Sequence, residues 1–229
     1  MPAAPLAIAL LGRAPSSPDA KTRLRQALPS DAGAALPLCL FLDTLEAVRR
    51  AAGGEAVPIV TPPDAAAELR HLMPDVGRIL PQRGTDLGER MHHAFVDLFE
   101  LGYGPVLLVG TDLPTLPPAH LTLAAEQLAA RADRVVLGPA EDGGYYLIGL
   151  NRPERRLFDR IDWSTSRVFN QTRDAALRLG LDVCQVPGWH DVDTPEDLRR
   201  LAAELASLPP HVGRYVRKWM KEREMRNEE

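Results

Sequence analysis

The sequence predicts an α/β fold built on a mostly parallel sheet. Apolar runs alternate along the chain with segments whose apolar residues recur at helical spacing, as in βαβ units. The first run, LAIALLG at 6–12, has the nearly continuous apolar character of a strand that is covered on both faces. The chain has 229 residues, of which 45% are hydrophobic, so it is long enough to bury the core of one such domain.

The first half of the chain predicts three strands and two helices before the centre. Residues 13–30 are expected to form a polar loop with one or two helical turns, and Ser30 is expected to cap a helix that runs to about Arg50. The strands AVPIVTPP and GRILPQ follow, separated by a helix that Thr61 caps and that ends at His71. The helix from Ser30 to about Arg50 is expected to bury an apolar face that includes Leu38, Phe41, Leu42, Leu45 and Val48.

The second half continues the alternation. A helix is expected from near Asp86 to Gly102, and Thr194 is expected to cap the last helix of the domain, with Pro195 at its first position. The elements between them are a central strand in GPVLLVGTDLP, a helix over 118–131, a strand, loop and strand over 133–150, a helix over 164–180 that Ser164 or Ser166 caps and Gly180 closes, and a strand in LDVCQVP.

The two ends predict no export signal and a helical tail. No basic residue precedes the apolar run of MPAAPLAIALLGRAPSS, so we interpret this run as a core strand and not as a signal peptide. Residues 1–208 are interpreted as one domain and 209–229 as an amphipathic helix, which either packs on the domain or forms a homodimer contact. The stripe of this helix consists of Val212, Tyr215, Val216, Trp219 and Met220.

Composition excludes several classes of function. The net charge of −4 gives no overall basic field for nucleic acid. No apolar stretch is long enough to cross a bilayer, and a cytoplasmic protein is expected. Cys39 and Cys184 are too few for a disulfide framework and are expected to be buried, reduced thiols.

Four loops at the expected carboxyl edge of the sheet carry the candidate chemistry. They read GRAPSSPDAKTRL, GTDLPTLPP, GPAEDGG and WHDVDTPEDL. Ligands of open parallel sheets bind beyond this edge. The second, third and fourth loops carry the candidate aspartates, and the first carries basic residues. Carboxylates bind Mg²⁺ or Mn²⁺ and basic side chains bind phosphate, so the loops predict a metal–phosphate site.

The strongest candidates each have a simpler alternative. Asp112 directly follows the central strand and either binds a metal or only caps the turn. Asp191 and Asp193 are two residues apart and share a face of an extended segment, although Asp193 could instead assist the helix cap. Lys21 and Arg23 either contact phosphate or form a solvated charged face. No Walker loop and no G-x-G-x-x-G is present, which disfavours a P-loop NTPase or a Rossmann domain.

The stretch GPAEDGGYYLIGL at 138–150 predicts a wall of the same site. Glu141 and Asp142 are expected at the carboxyl edge beside the metal, and Gly143 and Gly144 allow a tight turn there. One of the two following tyrosines is expected to face the core and the other the pocket. Weaker candidates are His190, which could touch a ligand, and His92 and His93, whose spacing does not fit a zinc site.

The motifs in order resemble a known family of GT-A-like transferases. They are KTRL (21–24), QRGTDLGERM (82–91), GTDLP (110–114), GPAEDGGYYLIGL, WSTS (163–166) and DVDTPEDL (191–198). The family includes the radical-SAM/selenodomain-associated transferases and arsenosugar-biosynthesis glycosyltransferases, and it is similar to 2-phospho-lactate and molybdenum-cofactor guanylyltransferases. The resemblance covers the chain to about residue 205. It implies a three-layer α/β/α nucleotide-diphospho-sugar transferase fold with a mixed, mostly parallel sheet.

The resemblance also implies roles for individual residues. Asp112 and Asp193 would bind Mg²⁺ or Mn²⁺, and Asp112, Asp142 and Lys21 would be catalytic. One departure is that the first loop reads APSSPDAKTRL, without the Pro-Gly usual in the family. The nucleotide would contact Gly12, Arg13, Lys21, Arg23, Gln82, Gly84 and Thr111, and the acceptor would contact Asp142, Gly143, Gly144, Tyr145, Ser164 and Thr165.

Three functions stay open at this point. The first is a metal-dependent glycosyltransferase that uses a nucleotide-diphospho-sugar and a small-molecule acceptor. The second is a nucleotidyltransferase that joins an NTP to a phosphorylated small molecule and releases pyrophosphate; Lys21 and Arg23 favour it, because an NTP has one phosphate more to bind. The third is a nucleotide-binding protein without catalysis, which the intact Asp112 and Asp193 disfavour.

Overall fold

One mixed sheet organises the molecule. The computed structural model describes residues 4–51 and 53–227, so the outermost ends of the predicted domain and tail lie outside the described residues. Within this part the sheet has the strand order β3-β2-β1-β4-β6-β5-β7. The strands are β1 (Leu6–Arg13), β2 (Gly54–Thr61), β3 (Leu80–Pro81), β4 (Val106–Val109), β5 (Arg134–Pro139), β6 (Tyr145–Leu150) and β7 (Asp182–Gln185).

Helices cover both faces of this sheet and give the predicted three-layer α/β/α architecture. A short 3-10 turn, Arg155–Leu157, follows β6. The helices are α1 (Thr22–Ala27), α2 (Ser30–Arg50), α3 (Ala65–Leu72), α4 (Leu87–Glu100), α5 (Pro118–Ala130), α6 (Val168–Arg178), α7 (Pro195–Ser207) and α8 (Arg214–Asn227).

The sheet is mixed and mostly parallel, as expected. β6 pairs antiparallel with both β4 and β5, whereas the β1–β2, β1–β4, β2–β3 and β5–β7 pairs are parallel. β6 reverses direction because only the short segment 140–144 links it to β5, and parallel neighbours need a much longer crossover. The start of β6 therefore lies at the edge where β1 and β4 end.

Alternate residues of the central strands supply two separate cores. Ile8 and Leu10 of β1 pack with Phe41 of α2 in a cluster that α3 and α5 complete. Ala7 and Ala9 point the other way and pack with Phe95 in a cluster that includes α4 and α6 residues. The period of two along β1 thus sets which helices lie on each face.

A third cluster lies beneath the loops at the carboxyl edge. Its members come from α1, α2, α7 and α8 and from the segment before α7. Val192 is 1% exposed in this cluster and Trp219 is 7% exposed. The stripe of the predicted tail helix therefore contacts the domain, in agreement with the packing alternative, while the domain boundary at 208 and a homodimer contact stay predictions.

Several predicted helix caps are wrong. Ser30 is the first residue of α2, and Pro29 holds the cap position without a side-chain hydrogen bond. Thr61 is the last residue of β2, and α3 begins only after Asp64. α6 begins after Arg167, so neither Ser164 nor Ser166 holds its cap position.

Other local predictions are confirmed. Asp86 caps α4 by accepting a hydrogen bond from the Glu89 amide. Thr194 and Asp197 form a reciprocal capping box at α7.

Other local predictions are met only in part. The strands β3 and β4 are shorter than the apolar runs that predicted them. On the predicted buried face of α2, Leu38 and Leu42 are only partly buried. No helix of the described chain is long and apolar enough to cross a membrane.

Candidate active site

The predicted loops converge where β1 and β4 end. Asp112 lies just beyond β4, and its carbonyl oxygen accepts a hydrogen bond of 3.1 Å from the Val192 amide. This backbone bond ties the loop after β4 to the segment that carries Asp191 and Asp193. Lys21 precedes α1 and approaches the same carboxylates from the loop after β1.

Three carboxylates and two cations form the centre of the site. Oxygens of Asp112, Asp191 and Asp193 lie within 4.8 Å of one another. The Lys21 ammonium pairs with the Asp112 carboxylate and lies 3.1 Å from Asp193 Oδ1. The Arg23 guanidinium lies 3.1 Å from the second oxygen, Asp193 Oδ2.

The electrostatics of the centre reflect this crowding. Burial raises the pKa of Asp191 to about 6, and the negative charge of Asp112 adds to the rise. Burial acts to lower the pKa of Lys21, but the carboxylates of Asp112 and Asp193 outweigh it and raise that pKa above its ordinary value. Lys21 therefore stays protonated among these acids at neutral pH.

The donor set fits a hard divalent cation. Carboxylate oxygens are the ligands that Mg²⁺ and Mn²⁺ prefer, and the predicted pair Asp112 and Asp193 is joined by Asp191. The two-residue spacing of Asp191 and Asp193 was the sequence signal for this third carboxylate. No sulfur or imidazole ligand is part of the described cluster, which argues against zinc.

A cavity of about 410 Å³ opens on the β1 side of the carboxylates. Gly12, Arg13, Thr111 and the first-loop residues line it, with Phe41 at its apolar wall. The Gly12 backbone lies against the Thr111 side chain, where an added Cβ would come under 3.0 Å from its atoms. The cavity volume suits a small-molecule ligand.

Two residues assigned to the nucleotide by resemblance lie behind this cavity. Gln82 is buried, and its amide nitrogen donates to the carbonyls of Gly12 and Ile59 at 2.6 and 2.9 Å. Gly84 has a φ of 127° and packs against Glu89 in the first turn of α4. Neither is among the described residues that line the cavity, and Gln82 instead holds the ends of β1 and β2 in place.

A second cavity of about 470 Å³ lies on the β6 side of the same carboxylates. Asp142, Tyr145, Ser164 and Thr165 line it, together with Trp163. Asp112, Gly110 and Arg23 line both cavities. The carboxylate centre therefore stands between two spaces that could each hold one substrate.

The hairpin between β5 and β6 shapes this second cavity. Gly143 has a φ of 87°, and an added Cβ would lie 2.6 Å from Ser166 Cα, so this glycine lets the hairpin touch the 164–166 segment. The Asp142 Oδ1 atom accepts a hydrogen bond from the Gly144 amide at 2.9 Å. These contacts fix Asp142 at the cavity wall.

The two tyrosines of the hairpin differ in their surroundings. Tyr146 is 5% exposed, and its hydroxyl donates to the Pro187 carbonyl at 3.0 Å. Tyr145 is partly exposed at the cavity wall and its hydroxyl lies 3.6 Å from Met91 Sδ. Burial raises the pKa of both phenols above the ordinary value.

The prediction for Glu141 is wrong. Its carboxylate accepts two hydrogen bonds from Arg200 on α7, at 2.6 and 2.9 Å, and so turns away from Asp112. Arg200 also contacts Glu204, which in turn lies 3.0 Å from His190 Nε2. His190 is 8% exposed and is held in this network behind the site.

Comparison with known proteins identifies the family of this chain. A family described as "Uncharacterized protein conserved in bacteria (DUF2064)" matches residues 44–165, just over half of the chain. The chain belongs to the DUF2064 family. The matched segment of this DUF2064 protein contains Asp112 and the β5–β6 hairpin, whereas Lys21 and the late aspartates lie outside it. A search among curated proteins gives no match.

Solved structures share the fold over nearly the whole length. A protein of Desulfovibrio desulfuricans, named a "putative nucleotide-diphospho-sugar transferase", is 30% identical over 93% of this chain and 94% of that chain, with a TM-score of 0.82. A cytidylyltransferase from Leptospira borgpetersenii is 15% identical over 98% and 96% of the two chains, with a TM-score of 0.58. Rv0371c of Mycobacterium tuberculosis, solved as a complex with manganese, is 17% identical over 89% and 100%, with a TM-score of 0.52.

Proposed function

We propose that this protein is a metal-dependent glycosyltransferase that uses a nucleotide-diphospho-sugar and a small-molecule acceptor. The observation that carries the proposal is the position of Asp112, which lies between two cavities and beside two further carboxylates. The name of the 30% identical relative and the resemblance to arsenosugar-biosynthesis glycosyltransferases support the same class.

The first cavity is the proposed place of the nucleotide donor. Arg13 at the end of β1, Lys21 before α1 and Arg23 in α1 line it and would bind the diphosphate oxygens. Asp112, Asp191 and Asp193 would hold Mg²⁺ or Mn²⁺, and the manganese complex of a structural neighbour supports a divalent cation here. When bound, the cation would neutralise the charge that develops on the departing nucleoside diphosphate.

The second cavity is the proposed place of the acceptor. Asp142 stands at its wall with Oδ1 engaged by the Gly144 amide, and its carboxylate would accept the proton of an acceptor hydroxyl. The hydroxyl oxygen would bond to the anomeric carbon, and the bond from that carbon to the diphosphate oxygen would break. The nucleoside diphosphate would leave with the bonding electron pair. Trp163 and Tyr145 would shield this exchange from water.

Nucleotidyl transfer is the second candidate, and the first loop favours it. Lys21 and Arg23 both reach the carboxylate centre, where an NTP would have an additional phosphate to bind. The cytidylyltransferase from Leptospira borgpetersenii shares the fold. In this reaction the acceptor phosphate would attack the α-phosphorus of the NTP and pyrophosphate would leave.

The leaving group separates the two reactions. The protein is incubated with Mn²⁺ and either an NTP with sugar phosphates or a panel of nucleotide-sugars with polyols and sugars. Release of a nucleoside diphosphate, lost in Asp142→Asn, supports glycosyl transfer, whereas pyrophosphate release from the NTP establishes the second candidate instead. Nucleotide binding without either product would favour the non-catalytic alternative.

A further inference from the structure

Lys21 lies where a cation of the acidic centre would lie. Its ammonium contacts Asp112 and is 3.1 Å from Asp193 Oδ1. These are two of the three carboxylates that lie within 4.8 Å of one another. The Lys21 side chain is only 11% exposed, compared with 74% for Arg23. Lys21 is thus the inner cation of the centre, and Arg23 is an outer one.

The backbone holds Lys21 in this position. Lys21 has φ 50° and ψ 46° in the left-handed region, a conformation that disfavours residues with a side chain and that persists where the surroundings fix it. Three residues later, Leu24 is 1% exposed in the cluster beneath the site. The start of α1 is therefore anchored, and the long side chain is the part that can move.

The charges around Lys21 affect how the centre would bind a metal and a nucleotide. Asp112, Asp191 and Asp193 face Lys21 and Arg23, so the ionised centre carries a formal charge of −1. A divalent cation near Lys21 would meet the repulsion of an ammonium that is shielded from solvent, where charges interact more strongly than in water. An anionic diphosphate in the adjoining cavity would offer that ammonium an alternative partner.

We infer that Lys21 is an internal cation that occupies the carboxylates until a nucleotide arrives. The phosphates then draw the ammonium away from Asp112 and Asp193, and a divalent cation replaces it. This inference rests on the proposed function, because it needs the same carboxylates and the same cavity. It adds that Lys21 opposes metal binding in the free protein and makes binding of the metal and the nucleotide cooperative.

Two binding measurements test the role of Lys21. The first titrates the free protein with Mn²⁺ and follows the free ion by electron paramagnetic resonance. Lys21→Met removes the charge and keeps the length of the side chain, so its Kd for Mn²⁺ is expected to be at least tenfold lower than that of the wild type. The second repeats the titration with saturating UDP, GDP or CDP, whichever binds. The nucleotide should tighten Mn²⁺ binding less in the variant than in the wild type, because part of the coupling has been removed.

Matched variants separate this effect from a general change in charge. Lys21→Arg keeps the charge and should leave the Mn²⁺ affinity within about threefold of wild type, whereas Lys21→Gln should behave like Lys21→Met. Arg23→Met removes the exposed guanidinium that lies beside Asp193. Because solvent screens this charge, the affinity for Mn²⁺ should change by less than threefold. Far-ultraviolet circular dichroism checks that each variant is folded, and Lys21→Gln replaces Lys21→Met if the latter is not.

The outcomes distinguish the inference from the proposed function. Unchanged or weaker Mn²⁺ binding in both neutral variants overturns the inference about Lys21, even if the wild type binds metal and nucleotide. Absence of Mn²⁺ binding in the wild type and the variants, with and without nucleotide, overturns the proposed metal site as well.

Discussion

A buried aspartate makes the stability of the protein depend on pH. Asp43 of α2 is 3% exposed, and its two oxygens accept hydrogen bonds from the Tyr215 and Val216 amides at 3.0 and 2.9 Å. These amides belong to the first turn of α8, whose unpaired N–H groups favour a carboxylate. Burial nevertheless outweighs the two bonds and raises the pKa of Asp43 from 3.8 to about 6.

The sign of the effect follows from the raised pKa. The folded protein holds the Asp43 proton more tightly than the unfolded chain does. The resulting stabilisation is fully present below pH 3.8 and is lost as the pH rises through about 6. Between pH 5 and pH 8 the linkage relation gives a loss on the order of 1 kcal/mol in the free energy of unfolding.

Urea unfolding of the wild type and Asp43→Asn between pH 5 and pH 8 measures this contribution. Because asparagine does not titrate, the difference in unfolding free energy between the two proteins should shift by on the order of 1 kcal/mol over this range, in the direction that disfavours the wild type at pH 8. Asp75→Asn, at an exposed carboxylate, controls for the loss of one charge. A difference between wild type and Asp43→Asn that is constant with pH would show that the stability of the protein does not depend on the titration of Asp43.

Two further substitutions test the packing around the site. Trp219 is 7% exposed, and its indole donates to the Ala32 carbonyl at 3.1 Å. Trp219→Ala should lower the free energy of unfolding by about 3–5 kcal/mol and lower Tm by about 6–20 °C in calorimetry. The control Met225→Ala, at a side chain that is 61% exposed, should change Tm by less than about 2 °C. Gly143→Ala combines a positive φ with a clash against Ser166 and should cost about 2–5 kcal/mol in urea unfolding. Gly180 has a positive φ and open space around it, so Gly180→Ala should lower the free energy of unfolding by only about 1–2 kcal/mol. Equal losses for the two substitutions would contradict the contact between Gly143 and Ser166.

The sequence predicted the convergence of the charged loops because topology alone brings them together. Once the sheet is mostly parallel, residues that follow β1 and β4 lie at one edge, and Lys21 and Asp112 follow these strands. The capping box at Thr194 was equally predictable, because Thr194 and Asp197 are local partners. These are features that depend on strand order or on neighbours in the chain.

The directions of individual side chains were not predictable. Glu141 turns towards Arg200, a partner 59 residues away in the sequence, and no pattern in the hairpin indicates this pair. Gln82 was assigned to the nucleotide, but it donates to the carbonyls of Gly12 and Ile59. The caps at Ser30 and Thr61 failed for different local reasons: α2 already includes Ser30 as its first residue, and Thr61 is still paired with Arg13 in the sheet.

Asp112, Asp191 and Asp193 are proposed to bind a divalent cation for a nucleotide substrate. The most direct measurement is a Mn²⁺ titration, by electron paramagnetic resonance in the presence of the nucleotide that binds, of the wild type, Asp112→Asn and Asp191→Asn. Asp142→Asn is the matched control, because this carboxylate is not one of the three that lie within 4.8 Å of one another. We expect each centre variant to weaken Mn²⁺ binding at least tenfold while the control keeps the wild-type Kd. Wild-type affinity in folded Asp112→Asn and Asp191→Asn would contradict a metal site at these carboxylates.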